Sequence, residues 1–260
     1  MKTLPFFLFG MMCSLAFVSC SVKTERTLCP GLVSILAEGG EDEIMQVIAA
    51  GESSYYEGRI SKSGGKAASC FEIERGPVLL SVLSGLHSCR ISGTQVLIDE
   101  DTEMDRLYAF SDSVGVYSDI VEMSCVLHKQ FAQLYLTIVE TEDAAYPYYV
   151  KISGNVCGMD YADLSPVAGP FSATIHPIIG EYHRVCLPRQ SDDDTLELEF
   201  YDRDMTKAGE APVDRLPLAD YIRAAGYDWS KEDLEDIYVS VDYTDGGVSV
   251  SVKPWNKVEI

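Results

Sequence analysis

The sequence predicts a mainly β protein of two β-sandwich domains with one or two short helices. Three observations carry this. The dominant hydrophobic period is two, the apolar bursts are short and bounded by Gly, Pro, Asp or Ser, and helical spacing is nearly absent. Strands are expected at Val78 to Leu83 behind Gly76-Pro77, then at Thr94 to Ile98, Leu134 to Val139, Tyr148 to Ser153 and Leu196 to Phe200. The strongest signal is C-terminal. Ile237, Val239, Val241 and Tyr243 alternate with polar residues, Thr244-Asp245-Gly246-Gly247 supplies the positive φ of a tight turn, and Val248, Val250 and Val252 resume the same face, so a β-hairpin is expected there. Leu218, Tyr221, Ile222 and Ala225 stand at helical spacing between Pro217 and Gly226, which predicts a short helix over 218–225. Glu43 to Ala50 is the second, weaker helix candidate. Turn formers collect between residues 160 and 172, which places the domain boundary there, with domains at 20–163 and 164–260. Each is a natural size for a sandwich of about seven strands.

Residues 1–19 read as a lipoprotein signal peptide: Lys2, an apolar run from Leu4 to Val18, then Ser19-Cys20. The run is shorter than the ~20 residues that span a bilayer, so it predicts an export signal that is removed. Cys20 stands where the cleavage site ends, with Phe17 three residues before it. Its thiol is the expected acylation site and the new N-terminus, which would anchor the domains to a membrane surface.

The chain of 260 residues carries 20 Lys and Arg against 41 Asp and Glu, a formal charge of −21, and loss of Lys2 makes the mature chain one unit more negative. Nucleic acid needs a basic footprint and anionic lipid a polybasic one, so neither is an expected partner. The mature chain keeps Cys29, Cys70, Cys89, Cys125, Cys157 and Cys186. Export permits disulfides, yet the spacing has no CxxC and no dense framework, so the pairing stays open.

Motifs for chemistry fall short one by one. Gly58 to Lys66 has the glycines of a phosphate loop one residue too far apart, with Ala67 where Ser or Thr must meet magnesium, and reads as a flexible hairpin loop. The acidic run Asp99 to Asp105 has Met104 in place of the glycine and Phe110 in place of the glutamate of a calcium loop, and, like Asp192 to Asp194, reads as a solvated acidic loop. His87, His128, His176 and His183 lack the spacing of zinc ligands, and no G-x-S-x-G elbow is present. No cofactor, metal or catalytic residue is assigned, and no enzyme activity is expected. Tyr146-Pro147-Tyr148-Tyr149 with Tyr55-Tyr56 would suit sugar stacking, but cross-strand packing explains them more simply.

Four stretches resemble one family in its own order. Cys20-Ser-Val-Lys-Thr-Glu-Arg26-Thr-Leu-Cys29-Pro30 is followed by Glu74-Arg75-Gly76-Pro77-Val78, by Lys129-Gln130-Phe131-Ala132, and by Gly226-Tyr227-Asp228-Trp229 through Trp255. Together they resemble the FimB-like anchor and minor subunits of Bacteroidales fimbriae. The resemblance implies two transthyretin-like sandwiches, a lipid anchor at Cys20, and fimbrial structural or accessory subunits as partners met by strand addition. No cleaved donor strand is evident after Arg26 or Arg59, which favours an anchor or accessory subunit over a stalk subunit. Asp112-Ser113-Val114 and Asp194-Thr195-Leu196 resemble the O-glycosylation pattern of exported proteins from the same bacteria, making Ser113 and Thr195 candidates. The rival reading is a surface glycan-binding or adhesin lipoprotein, which would need an exposed aromatic platform; buried Trp229 and Trp255 would count against it.

Overall fold

The computed structural model describes residues 29–139, 148–191, 193, 195–202, 211–242 and 247–253. It is mainly β, with sheets arranged as β-sandwich domains and, among the described residues, one helix. In chain order the strands are β1 (Gly31–Glu38), β2 (Ile44–Ala50), β3 (Tyr55–Ser61), β4 (Lys66–Ile73), β5 (Gly76–Ser84), β6 (Arg90–Ser92), β7 (Gln95–Leu97), β8 (Tyr108–Val116) and β9 (Ile120–Val126). Then come β10 (His128–Lys129), β11 (Phe131–Val139), β12 (Tyr148–Asp160), β13 (Ser165–Ile175), β14 (Tyr182–Pro188), β15 (Glu197–Asp202) and β16 (Asp214–Leu216). Helix α1 (Leu218–Ala224) precedes β17 (Asp236–Asp242) and β18 (Gly247–Lys253).

The strands form four sheets. A three-stranded sheet ordered β4-β1-β9 accompanies a five-stranded one ordered β10-β8-β5-β2-β3. A four-stranded sheet ordered β14-β11-β17-β18 accompanies a larger one ordered β16-β15-β12-β7-β6, with β13 paired to the other side of β12. Alternation explains the facing. In β1, Val33, Ile35 and Ala37 are buried while Ser34, Leu36 and Glu38 turn outward. In β17 the buried set is Ile237, Val239 and Val241.

The change from one pair of sheets to the other comes at Gln130, between β10 and β11, and not at 163/164. The expected boundary lies in the turn of the β12–β13 hairpin, whose ladder closes at Asp160 and Ser165. Turn formers mark any reversal, and Asp160 and Asp163 serve this one by accepting the N–H groups of Ala162 and Ser165. The short β6–β7 hairpin reaches across from the first half of the chain to pair with β12.

The C-terminal hairpin forms as expected, with an unbroken ladder from Asp236 opposite Lys253 to Asp242 opposite Gly247, and it completes its own sheet by running parallel to β11. The helix also forms, one residue shorter than predicted. Leu218, Ala219 and Ile222 are its buried face, and Gly226 follows with φ +76°, the left-handed geometry that ends a helix cheaply only at glycine. The other helix candidate is overturned, since Glu43 to Ala50 contributes strand β2. Met45, Val47 and Ala49 bury one face of this strand, and the other carries Ile44, Ile48 and Ala50 with Gln46 alone polar, so the sequence shows no period of two. Gly58 to Ser61 belong to β3, and only Lys62 to Gly65 make the hairpin loop.

The acidic run is a strap more than a solvated loop. Met104 is fully buried and Asp105 is 8 % exposed. Asp105 accepts the N–H groups of His87, Ser88 and Cys89 and the Ser88 hydroxyl at 2.6 Å. Burial raises its pKa, but these hydrogen bonds outweigh it and hold the carboxyl below its ordinary value. A depressed folded pKa means stability that is complete above the unfolded value near ~4 and lost as pH falls through the folded one. Asp105→Asn is expected to cost about 1–3 kcal/mol at neutral pH and to flatten the stability profile below about pH 4, read by urea unfolding at stepped pH.

Candidate interaction surface

The groups that would have to converge for catalysis are apart. His87 pairs with Asp42 at 3.1 Å on the surface, and His128 approaches Asp233 at 3.3 Å. His183 Nε2 accepts the Ile178 amide, and His176 tilts against Tyr149. The six described cysteines are all free thiols. Burial pushes the Cys89 and Cys186 thiols up to about 12 and Cys125 up to about 11, which suits inert core groups and not nucleophiles. Among the described residues, no group of three or more His, Cys, Asp or Glu could hold a metal ion.

The aromatic candidates pack as ladders. Tyr56 stacks on Phe71 at 4.0 Å, joining β3 to β4, and Tyr149 stacks on its cross-strand partner Tyr201 at 5.0 Å. Trp229 is half-buried against Tyr227 and the core. Tyr146, Pro147 and Trp255 lie outside the described residues, as does Cys20. Ser113 is exposed on β8, and Thr195 is exposed just before β15, its amide donating to Asn155 Oδ1 at 3.2 Å. Both positions are accessible to solvent.

Sheet edges are the remaining surface with chemical consequence, because an edge strand presents unpaired N–H and C=O groups. Most are protected. The β13 edge carries Pro166 and Pro170 beside two register irregularities. The acidic strap covers the outer edge of β14, where Met104 N–H donates to the Cys186 carbonyl and Glu103 accepts the Cys186 amide. Strands β6 and β16 are three residues long and carry Arg90 and Arg215. Helix α1 packs against β18, and the stacked Tyr56 and Phe71 close the β3–β4 side.

Strands β8 and β9 differ. Strand β10 pairs only with Tyr108 and Ala109, which leaves β8 uncovered from Phe110 to Val116. The Gln130 amide donates to the Leu107 carbonyl across the Tyr108–Lys129 pair, and this alternation directs the backbone groups of Ser111, Ser113 and Gly115 to the open side. The Ser113 N–H donates to the Asp112 carboxylate at 2.7 Å, consistent with that direction. Strand β9 follows through the turn 117–119 and is the outer strand of the neighbouring sheet. Tyr117 is 70 % and Ile120 58 % exposed at this turn. Arg75 fastens the same corner, donating to the carbonyls of Cys29 and Tyr117 and pairing with Asp119.

No local motif in the sequence marks this edge. The stretch 108–126 contains Asp112, Asp119 and Glu122 but no Lys, Arg or Pro, the residues that usually blunt an edge.

No protein-family model matches the sequence, and no curated protein matches it. Solved structures do. The fimbrial anchor protein Mfa2 from Porphyromonas gingivalis superposes with a TM-score of 0.60 at 12% identity, over 87% of this chain and 98% of that one. The fold is that of Bacteroidales fimbrial-anchor and adhesin structures. A candidate polysaccharide-binding protein from Bacteroides thetaiotaomicron matches with a TM-score of 0.62 at 12% identity, over 88% of this chain and 99% of that one. A candidate adhesin from the same organism gives 0.58 at 12% identity, over 87% and 97%. At these identities the likeness is one of fold, and it spans both sandwiches.

Proposed function

We propose that this chain is a FimB-like fimbrial anchor or accessory subunit, exported through the signal at residues 1–19 and held to the outer membrane at the cell surface by acylated Cys20. It binds fimbrial subunits through strand-mediated contact and catalyses no reaction. The observation that carries this reading is the fold shared over 87% of this chain with a fimbrial anchor protein, in a chain that also carries a lipoprotein-type cysteine at Cys20. The placement of β1 supports it. A stalk subunit freed of its first strand would need a groove there, whereas β1 here is fully paired between β4 and β9, and Arg59 sits inside strand β3. The strong negative charge supports a protein that reaches the membrane by acyl chains and has no affinity for nucleic acid. Ser113 and Thr195 are proposed as O-glycosylation sites, on their motif and their exposure.

Cys20→Ala is expected to move the protein from the membrane fraction to the soluble fraction, since a buried acyl chain supplies about 0.8 kcal/mol per methylene to membrane binding. Mass spectrometry of the membrane-extracted protein, with crosslinked partners, checks the remainder: an acylated N-terminal Cys20 and a β-rich fimbrial subunit are the expected products. Retention of the mutant in membranes would refute the anchor. The second reading, a glycan-binding lipoprotein, has in its favour the fold of the candidate polysaccharide-binding protein. Against it, Trp229 is packed on Tyr227 and the core instead of forming a platform.

A further inference from the structure

We infer that the uncovered edge of β8, from Phe110 to Val116, is a docking site for an extended, basic polypeptide strand of another protein. The inference deepens the strand-mediated contact proposed above and rests on it only for the partner's identity. Ser111, Ser113 and Gly115 offer their backbone groups outward, which is the hydrogen-bonding row an added strand requires. No proline, lysine, arginine or register irregularity interrupts β8 or β9, although the other edges carry such devices or are covered.

Charge selects the occupant. Asp112 and Glu122 are exposed on the two strands. Where β8 nears the second pair of sheets, a cavity of about 450 Å³ opens beside Ser111 and Asp112, with Asp163 and Glu232 on its far wall. Of the cations on its lining, Lys231 is paired with Glu235 at 2.7 Å and the buried Arg189 guanidinium is taken up by Gln130 and the carbonyls of Trp229 and Glu232. A second copy of this chain would bring its own Asp112 and Glu122 to the same acidic edge, and like charges facing one another across a sheet destabilise it. A strand bearing Lys or Arg meets the carboxylates instead, while its apolar side chains have the exposed Tyr117 and Ile120 and the half-buried Phe110, Val121 and Met123 to cover.

The test uses the full chain and a synthetic peptide alternating valine with lysine and threonine, with a glutamate-for-lysine counterpart. Amide hydrogen exchange should show Ser111, Ser113 and Gly115 protected about tenfold or more by the basic peptide and unaffected by the acidic one. Ser113→Pro removes an outward donor without touching the pairing to β5, and should weaken peptide binding about tenfold. Asp112→Lys keeps the backbone row and should weaken it by a similar factor, which keeps the test decisive if the proline variant folds poorly. Equal binding by both variants, equal binding of the acidic peptide, or protection at another strand would overturn the inference. So would protection of these amides that grows with protein concentration in the absence of peptide, which would mean self-pairing. Peptide binding at β8 with no fimbrial subunit crosslinked from membranes would leave the edge standing and refute the fimbrial reading; the reverse result would refute the edge alone.

Discussion

Asp236→Asn should destabilise the protein by about 3–5 kcal/mol, the range expected when one partner of a buried ion pair is removed. Lys129 is 1 % exposed, and its ammonium meets the Asp236 carboxylate directly while lying 4.8 Å from the Phe131 ring centre. The amide of Lys129 also donates to Asp233 Oδ1 at 2.8 Å. The pair therefore joins the crossover at Lys129 to the start of β17, far apart in sequence. Desolvating an ammonium is costly, and the carboxylate and the ring face compensate for it. Loss of the carboxylate leaves most of the desolvation in place. Lys129→Met removes the cation and fits the same slender space, so the double variant Lys129→Met/Asp236→Asn should recover most of the lost stability. Urea unfolding of the two single variants and the double gives the coupling energy, and strict additivity would show that the two side chains do not act as a pair.

The second large effect is expected at Arg189, which is 9 % exposed. Its guanidinium holds Gln130 Oε1 with two N–H groups, at 2.9 and 3.2 Å, and donates to the backbone carbonyls of Trp229 and Glu232. Gln130 in turn donates to the His128 and Glu232 carbonyls. This network fixes the 227–235 segment against the junction where one pair of sheets gives way to the other. Arg189→Ala strands several buried acceptors, each costing about 1–3 kcal/mol, so a loss of about 3 kcal/mol is expected. Arg189→Lys should rescue only a minor part, because an ammonium cannot reproduce the planar fork. Thermal unfolding of the three proteins checks the order.

The C-terminal hairpin was legible before the fold was known, because β17 buries Ile237, Val239 and Val241 and keeps a clean period. Strand β2 was misread for the opposite reason. Its outer face carries Ile44, Ile48 and Ala50 with Gln46 alone polar, so no alternation reveals the period, and Met45, Gln46, Val47 and Ile48 are as compatible with a helix as with a strand. The boundary was misplaced because turn residues announce a reversal of the chain without saying whether the strands on either side part or pair. At the candidate surface, the Asp112-Ser113-Val114 pattern could be read locally, but its exposure could not. The uncovered edge around it could not, since it depends on β10 ending after two residues. Asp105 and Lys129 were hidden by the same limit: charged residues read as surface unless the partners that accept them, distant in sequence, are known.

The position of β1 has a mechanical consequence. The chain enters the first sandwich at Cys29, where Arg75 holds its carbonyl, and runs directly into a strand paired along its length on both sides. Tension arriving from the N-terminal side would therefore pull β1 lengthwise between β4 and β9, loading both ladders in shear at once, and the strand could not peel away one hydrogen bond at a time. Forced unfolding is set by the height of that barrier and not by equilibrium stability. A protein built this way can be only moderately stable to denaturant and still resist a steady pull from its N-terminal side.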